Sequence, residues 1–278
     1  MPVKIIAEIG KNFIYSEQEL SITENLNEAK ELVKAAKSSG ADVVKFQCHV
    51  FKDERYKRSP ERFEWIKRNE RATPYEEFWK PLKKLCDDLK IEFLVTPMST
   101  GAAKKITELV GEWKVGSADI LDFELLDYMV STHKQIIISS GMSTKQQLQR
   151  AIVHLIGKGT RFSIMHCVSV YPCPTNKLNL NTIDYLKHKY PYVQLGFSDH
   201  SLDTFASSLA VAKGAKIIEK HFTLDRLSFG PDHKVSLLPN EFQEMVERIR
   251  TTESMLGIED KIILNEERAY WSKFRIER

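Results

Sequence analysis

Residues 196–233 concentrate the side chains with the widest chemical reach. They read G-F-S-D-H, then an apolar segment, then I-I-E-K-H-F-T and G-P-D-H, so His200, His221 and His233 recur beside Asp199, Glu219 and Asp232. Two apolar runs, 193–197 and 215–218, are brief and bounded by Gly or charge, which predicts buried strands. In parallel α/β proteins a polar cluster just past a buried strand is where chemistry collects. His200 and His221 are therefore expected to end neighbouring strands and face one pocket. Such a histidine pair beside carboxylates suits a divalent metal that keeps positions open for substrate. The alternative is that each histidine is a hydrogen-bonded structural residue.

The rest of the chain supplies a series of elements able to position that pair. Strands are expected at 3–9, 41–47, 91–96, 112–115, 135–139 and 161–166, followed by the two ending at His200 and His221. Between them, segments such as 26–39, with Leu26, Ala29, Leu32, Val33 and Ala36 on one face, read as amphipathic helices. Further helices are expected at 75–89, 101–109, 123–131, 144–157, 179–189, 203–213 and 240–255. Eight βα units in unbroken series predict an α/β fold, a TIM (β/α)8 barrel, as a single domain over 1–260 with a charged tail at 261–278. Residues 48–74, dense in alternating charge and interleaved with Phe51, Tyr56, Phe63 and Trp65, form an insertion after the second strand. It reads as a solvated segment carrying a short helix, or as a lid or subunit contact, since long loops in compact domains tend to be functional.

All strands of such a barrel open on the same face. Their ends carry Glu8, Lys45 with Gln47, Thr96, Lys114 with Ser117, Ser139 with Ser140, His166 with Ser169 and Tyr171, Ser198 with His200, and Glu219 with His221. Two lysines among hydroxyl donors suit a phosphate, or a phosphate joined to a carboxylate.

Bulk properties exclude several classes. At 278 residues, with 42% hydrophobic and 28% charged residues, the chain has ample core. A net charge of +3 gives no ground for a nucleic-acid partner. No signal peptide or apolar run of membrane-spanning length is visible. Cys48, Cys86, Cys167 and Cys173 form no C-x-x-C or zinc-like spacing, which predicts buried thiols in a reducing cytoplasm.

The pieces A-E-I-G (7–10), G-A-D-V-V-K-F-Q (40–47), T-P-M-S (96–99), W-K-V-G-S (113–117), I-S-S-G-M (138–142), H-C-V-S-V-Y-P (166–172), G-F-S-D-H-S (196–201), E-K-H-F-T (219–223) and G-P-D-H-x-x-S (230–236) together resemble the sialic acid synthase family, in the family's order. The resemblance implies a TIM-barrel synthase that joins phosphoenolpyruvate to an N-acylated hexosamine-type aldehyde. The products would be a nonulosonic, sialic-acid-like acid and phosphate. It implies manganese or magnesium on His200 and His221, and a phosphoenolpyruvate pocket of Lys45, Thr96, Lys114, Ser117, Ser139, Ser169 and Ser198. Sugar contacts would come from Gln47, Tyr171 and Asp232, with Glu8 and Glu219 close to the reacting atoms. A cytoplasmic homodimer is implied as well.

The chain departs from the family pattern in three places. Asn12-Phe13 and a longer loop follow the first strand, Ser169 stands where some members carry Asn, and the usual antifreeze-like C-terminal domain, which lends an arginine to the sugar, is not expected here. Arg55, Arg58, Arg62 and Arg68 of the insertion are candidates to replace that arginine. The alternatives are a synthase taking another sugar or a sugar phosphate, a non-catalytic sugar- or metal-binding barrel, and a metal-dependent hydrolase.

Overall fold

Eight short runs rich in branched and aromatic residues form β1 (Lys4–Gly10), β2 (Val43–Cys48), β3 (Glu92–Pro97), β4 (Glu112–Val115), β5 (Gln135–Ser139), β6 (Phe162–Cys167), β7 (Gln194–Asp199) and β8 (Ile217–His221). The computed structural model describes residues 2–274. The strand order is β3-β2-β1-β8-β7-β6-β5-β4, every ladder is parallel, and the end strands β3 and β4 pack together, so the sheet curls into the expected barrel. The surrounding helices are α1 (Ile22–Ser38), α2 (Phe51–Glu54), α3 (Phe63–Ala72), α4 (Lys80–Asp88), α5 (Thr100–Ile106), α6 (Phe123–Ser131), α7 (Lys145–Gly157), α8 (Asn181–Lys189), α9 (Ala206–Ala212), α10 (Pro239–Leu256) and α11 (Asn265–Phe274). Local signals set several of their starts. Ser21 with Glu24, and Thr144 with Gln147, form reciprocal capping boxes ahead of α1 and α7.

The period of two along each strand divides the molecule into an inside and an outside. Inside, Ile6, Val43, Leu94, Ile137, Met165 and Ile217 form a separate apolar plug. On β7 the corresponding place falls to Gly196, where an added Cβ would lie 2.7 Å from the Ile217 carbonyl oxygen. Two residues further along, the eight strands present Glu8, Lys45, Thr96, Lys114, Ser139, Cys167, Ser198 and Glu219, all buried. The plug is thus the base on which a polar ring rests.

The same alternation corrects part of the sequence reading. Asp199 and Lys220, the middle residues of S-D-H and E-K-H, turn outward and pair at 2.7 Å, fully buried. Asp199 also accepts from Ser201 and Ser207. The acid beside His200 therefore joins the barrel wall to α9 and its entry loop rather than serving the pocket. His233, the third histidine, meets the Thr223 hydroxyl at 2.7 Å and is likewise structural. His166 points outward too, its Nε2 donating to the Leu178 carbonyl at 2.7 Å while its ring stacks on Phe197.

Elsewhere the expected helix at 75–89 begins as a π turn over Tyr75–Trp79, because Pro81 has no N–H to continue the ordinary ladder. The insertion holds two helices, α2 and α3, and is anchored rather than solvated. Glu54 at the end of α2 is fully buried, the Phe51 N–H donates to Glu70, and Arg68 donates to the carbonyls of Ser16, Glu17 and Gln18. The expected tail carries α11; residues 275–278 of that segment lie outside the described residues.

Candidate active site

The polar ring is the floor of a cavity of about 290 Å³ at the C-terminal mouth of the barrel. Lys45, from β2, lies 2.7 Å from Glu8 Oε2, 3.7 Å from Glu219 Oε2 and 3.1 Å from the Thr96 hydroxyl. Lys114, from β4, donates to the Ser139 hydroxyl and the Val115 carbonyl, and its Nζ lies 3.8 Å from the same Glu219 oxygen. Ser198 donates to the other Glu219 oxygen at 3.1 Å. Burial alone would raise the Glu219 pKa, but the two ammonium groups outweigh it and hold the carboxyl at about 2. Glu8 goes the other way: burial, with Glu219 nearby, raises it in spite of Lys45. Burial lowers the Lys114 pKa, with Lys45 adding to the effect. Two carboxyls on one floor are thereby given different affinities for a proton.

Above the floor stand the histidines. Their ring centroids are 5.4 Å apart, and Tyr171 lies against both, at 4.2 Å from His200 and 6.1 Å from His221. The His200 Nδ1 is 2.8 Å from the Val168 carbonyl oxygen. A carbonyl only accepts, so Nδ1 carries the proton and Nε2 keeps its lone pair. Burial lowers the His221 pKa to about 3, and its Nδ1 is buried without a hydrogen-bond partner. His200 goes the other way: burial would lower its pKa, but Cys167 beside it raises it. One imidazole fixed by a backbone carbonyl and a second that burial keeps neutral fit a divalent cation that takes its other positions from water or substrate. No cluster of three or more His, Cys, Asp or Glu suited to a metal occurs among the described residues, so these two would be the protein's share.

Opposite, Gly141 makes room for a cradle. A Cβ there would fall 2.3 Å from the Ser169 hydroxyl, 2.6 Å from that of Ser117 and 2.8 Å from the Cys167 sulfur. Ser169 stands one step behind the cavity wall, its hydroxyl 3.7 Å from Cys167, whereas Ser117 lines the cavity. On the β1–β2 side Gln47 donates to Glu8 at 2.8 Å, Lys11 donates to Gln47 at 3.3 Å, and Lys11 lies 3.7 Å from Asp232.

Thus Glu8, Lys45, Gln47, Thr96, Lys114, Ser117, Ser139, Tyr171, Ser198, His200, Glu219, His221 and Asp232 share one cavity, and Ser169 adjoins it. Ser140, the neighbour of Ser139, opens instead on a separate cavity beneath the start of α7. Of the insertion arginines, Arg58 and Arg62 reach the mouth. Arg55 rests on Tyr56 and Arg68 is committed to backbone carbonyls. Lys11, Asp119 and Cys167 also line the cavity without having been singled out. Alternation from the apolar Met165 would have placed Cys167 in the ring. Arg58 meets both Asp119 oxygens, at 2.6 and 2.7 Å, a pairing over sixty residues of chain that no local pattern marks.

Eight parallel strands closed into a barrel, with ionisable groups gathered at their C-terminal mouth, define a TIM-barrel enzyme. The model of the NeuB family matches residues 32–261, and the chain belongs to that family. It is 36% identical to the N,N'-diacetyllegionaminic acid synthase of Legionella pneumophila over 90% of this chain and 74% of that one. It is 31% identical to the human N-acetylneuraminate-9-phosphate synthase over 95% and 74%. The crystal structure of N-acetylneuraminic acid (sialic acid) synthetase from Leptospira borgpetersenii, in complex with citrate, superposes with a TM-score of 0.88 at 31% identity, covering 100% of this chain and 94% of that one. The chain is an enzyme of the sialic acid synthase-like class, the phosphoenolpyruvate-dependent condensing synthases. No helix among the described residues is long and apolar enough to cross a membrane.

Proposed function

We propose that this enzyme condenses phosphoenolpyruvate with an N-acylated hexosamine-type aldehyde resembling N-acetylmannosamine, releasing phosphate and a nonulosonic acid. One observation carries the reading: two buried lysines flank one buried carboxylate beneath a pair of histidines, within a single cavity. Lys45 and Lys114, with Thr96, Ser139, Ser198 and the Gly141 cradle, bind the anionic groups of phosphoenolpyruvate. Gln47, Tyr171 and Asp232 orient the sugar. A divalent cation, manganese or magnesium, held by His200 and His221, supplies polarisation of the aldehyde when bound.

The new bond joins C3 of phosphoenolpyruvate to the aldehyde carbon, leaving positive charge at C2. Glu219, kept ionised between its lysines, faces that charge and accepts a proton from the water that adds to C2. Glu8, which holds a proton more readily, is placed to return one to the new alkoxide. The tetrahedral adduct then breaks its C–O bond to phosphate, which leaves on the lysines. Each step is a proton or anion held at a stated residue.

Arg58 and Arg62, from the insertion, line the mouth at its sugar end. Four buried free thiols support a cytoplasmic setting, and the family resemblance supports a homodimer. A second reading, a sugar phosphate as acceptor, is favoured by Lys11 and Arg62 at the sugar end. Phosphate release from phosphoenolpyruvate, assayed with N-acetylated hexosamines and their 6-phosphates with and without manganese, separates the two. Release with none of these acceptors would overturn both.

A further inference from the structure

A second cavity, of about 460 Å³ against about 290 Å³ for the active site, opens between the starts of α7 and α8 at the ends of β5 and β6. It meets the active site at two places. On the connection from β5 to α7, Ser139 lines the active site and Gly141 makes room for its cradle, while Ser140 and Ser143 line the second cavity. Cys167, at the end of β6, lines both. At the base of the second cavity lies His166, only 4% exposed. Its Nε2 donates to the Leu178 carbonyl and burial keeps the ring neutral, so Nδ1 holds a lone pair. Nδ1 makes no hydrogen bond and is not fully sealed, so its remaining surface belongs to the cavity that the ring lines. The Ser140 hydroxyl, the Asn181 amide and the Lys145 ammonium likewise have no hydrogen-bond or ion-pair partner among the described residues. Lys145 rests 4.9 Å over the Tyr185 ring, which forms part of the wall.

No Asp or Glu lines this cavity among the described residues, whereas four line the active site. An unopposed ammonium beside hydroxyl and amide donors favours an anion. Inorganic phosphate would fill little of the space and would set its charge against the His166 lone pair. A polyhydroxylated carboxylate matches every part: its carboxylate meets Lys145 and Ser140, its hydroxyls meet His166 Nδ1 and Asn181, and its carbon face lies along Tyr185 and Leu148. We infer that this cavity is a regulatory site for a polyhydroxylated carboxylate, whose binding slows the reaction next door. Taking that ligand to be the enzyme's own product, a nonulosonic acid, rests on the condensation proposed above. The sign follows from the cradle. Lys114 already donates to Ser139, so a ligand that draws Ser140 toward itself pulls against that bond and against the turn at Gly141. Two sites that bias one short connection in opposite directions are coupled, each weakening the other.

The test is phosphate release by the full chain with manganese, phosphoenolpyruvate and N-acetylmannosamine both saturating, as N-acetylneuraminic acid is added. Saturating substrates suppress binding of the acid in the active site, so inhibition that persists reports the second cavity. Half-inhibition should need roughly tenfold more acid in Lys145→Gln, the scale of one charge-assisted hydrogen bond. Without the acid, kcat and both KM values should stay in place. Lys145 is exposed at the start of α7, so the variant keeps its fold. Lys189→Gln removes the other ammonium over Tyr185, which does not line the cavity, and should leave inhibition unchanged. Inhibition that saturating substrates abolish, that survives intact in Lys145→Gln, or that weakens equally in Lys189→Gln overturns the inference. So does loss of uninhibited turnover in Lys145→Gln, which would put that lysine in the reaction itself. If the wild type turns over no acceptor, the condensation reading fails by itself. The cavity is then judged by calorimetry with N-acetylneuraminic acid, its methyl ester and inorganic phosphate, where the acid should bind more tightly than the ester and lose affinity in Lys145→Gln. No binding, equal binding of the ester, or an affinity unchanged in the variant overturns it. Phosphate affinity that falls as far as the acid's in Lys145→Gln marks a plain anion site and overturns it too.

Discussion

The barrel floor and the insertion at 48–74 both hold charge out of water, yet they do so by different means. On the floor the ion pairs are made between strands: Lys45 on β2 meets Glu8 on β1 and Glu219 on β8, at positions fixed by parallel ladders. In the insertion they are made by a folded loop: Glu54 gathers His49 and the Val50 N–H locally, and Arg58 reaches Asp119 beyond β4. A strand can shift its backbone only by breaking its ladder, so the Cα positions of the floor are fixed and suited to positioning reacting groups. A loop can be redrawn while the barrel stands, which suits choosing between sugars. The function proposed above puts its chemistry in the first region and its selectivity in the second.

That contrast is most easily broken at Lys45. Lys45→Met should lower kcat/KM for phosphate release by about 10³-fold, the scale of losing one preorganised charge. Leaving Glu8 and Glu219 without that partner should also cost about 3–5 kcal/mol in urea unfolding. A variant with near-normal turnover would remove the lysine from the chemistry. Lys220→Met sharpens the same point from the other side of the wall, because it strands Asp199 on the outward face. Unfolding should again cost about 3 kcal/mol, but kcat/KM per folded molecule should fall by less than about threefold, since the lost charge does not line the active-site cavity. Comparable losses in both variants would mean that facing the cavity is not what matters.

In the insertion, Arg58→Ala should raise the acceptor KM by roughly tenfold and leave the KM for phosphoenolpyruvate in place. Arg68→Ala, which frees backbone carbonyls and uncovers the Trp65 and Phe229 rings but removes nothing from the cavity lining, should move neither constant. Equal effects of the two would show that the insertion acts as a whole and not through its mouth residues.

The smallest expected effect is on acid stability of the metal-free protein. Burial lowers the pKa of His49, His166, His221 and His233 below the ordinary 6.5. An unfolded chain would protonate these rings near that value while the folded one resists. What these four rings contribute is therefore complete above 6.5 and is lost as pH falls through the window below it, which for His221 extends to about 3. His200, where burial is outweighed by Cys167 and the pKa is raised, offsets part of the loss. Thermal midpoints between pH 7.5 and 5 should decline, and a flat profile would contradict the neutral histidines of both regions.

The fold was legible because its signals are local. Apolar runs of five or six residues, amphipathic segments and capping pairs such as Ser21 with Glu24 recur in an order that only a barrel uses well. Much of the floor was legible for the same reason, since residues at strand ends share a face. Asp199 misled because a residue's side of the strand depends on register, which an acid beside a histidine does not reveal. Arg58 with Asp119 left no trace at the level of spacing, because neither partner is near the other's repeat.

By itself, then, the sequence determined that eight strands and their helices close into a barrel, and which residues end each strand. It could do so because hydrophobic periodicity and turn chemistry act over a few neighbouring residues. Only the tertiary structure decided which ends look inward, that two lysines share one carboxylate, and that the insertion folds over the mouth. Those outcomes follow from ladder register and from contacts across the barrel, where the energy of a charge depends on which distant group completes its burial.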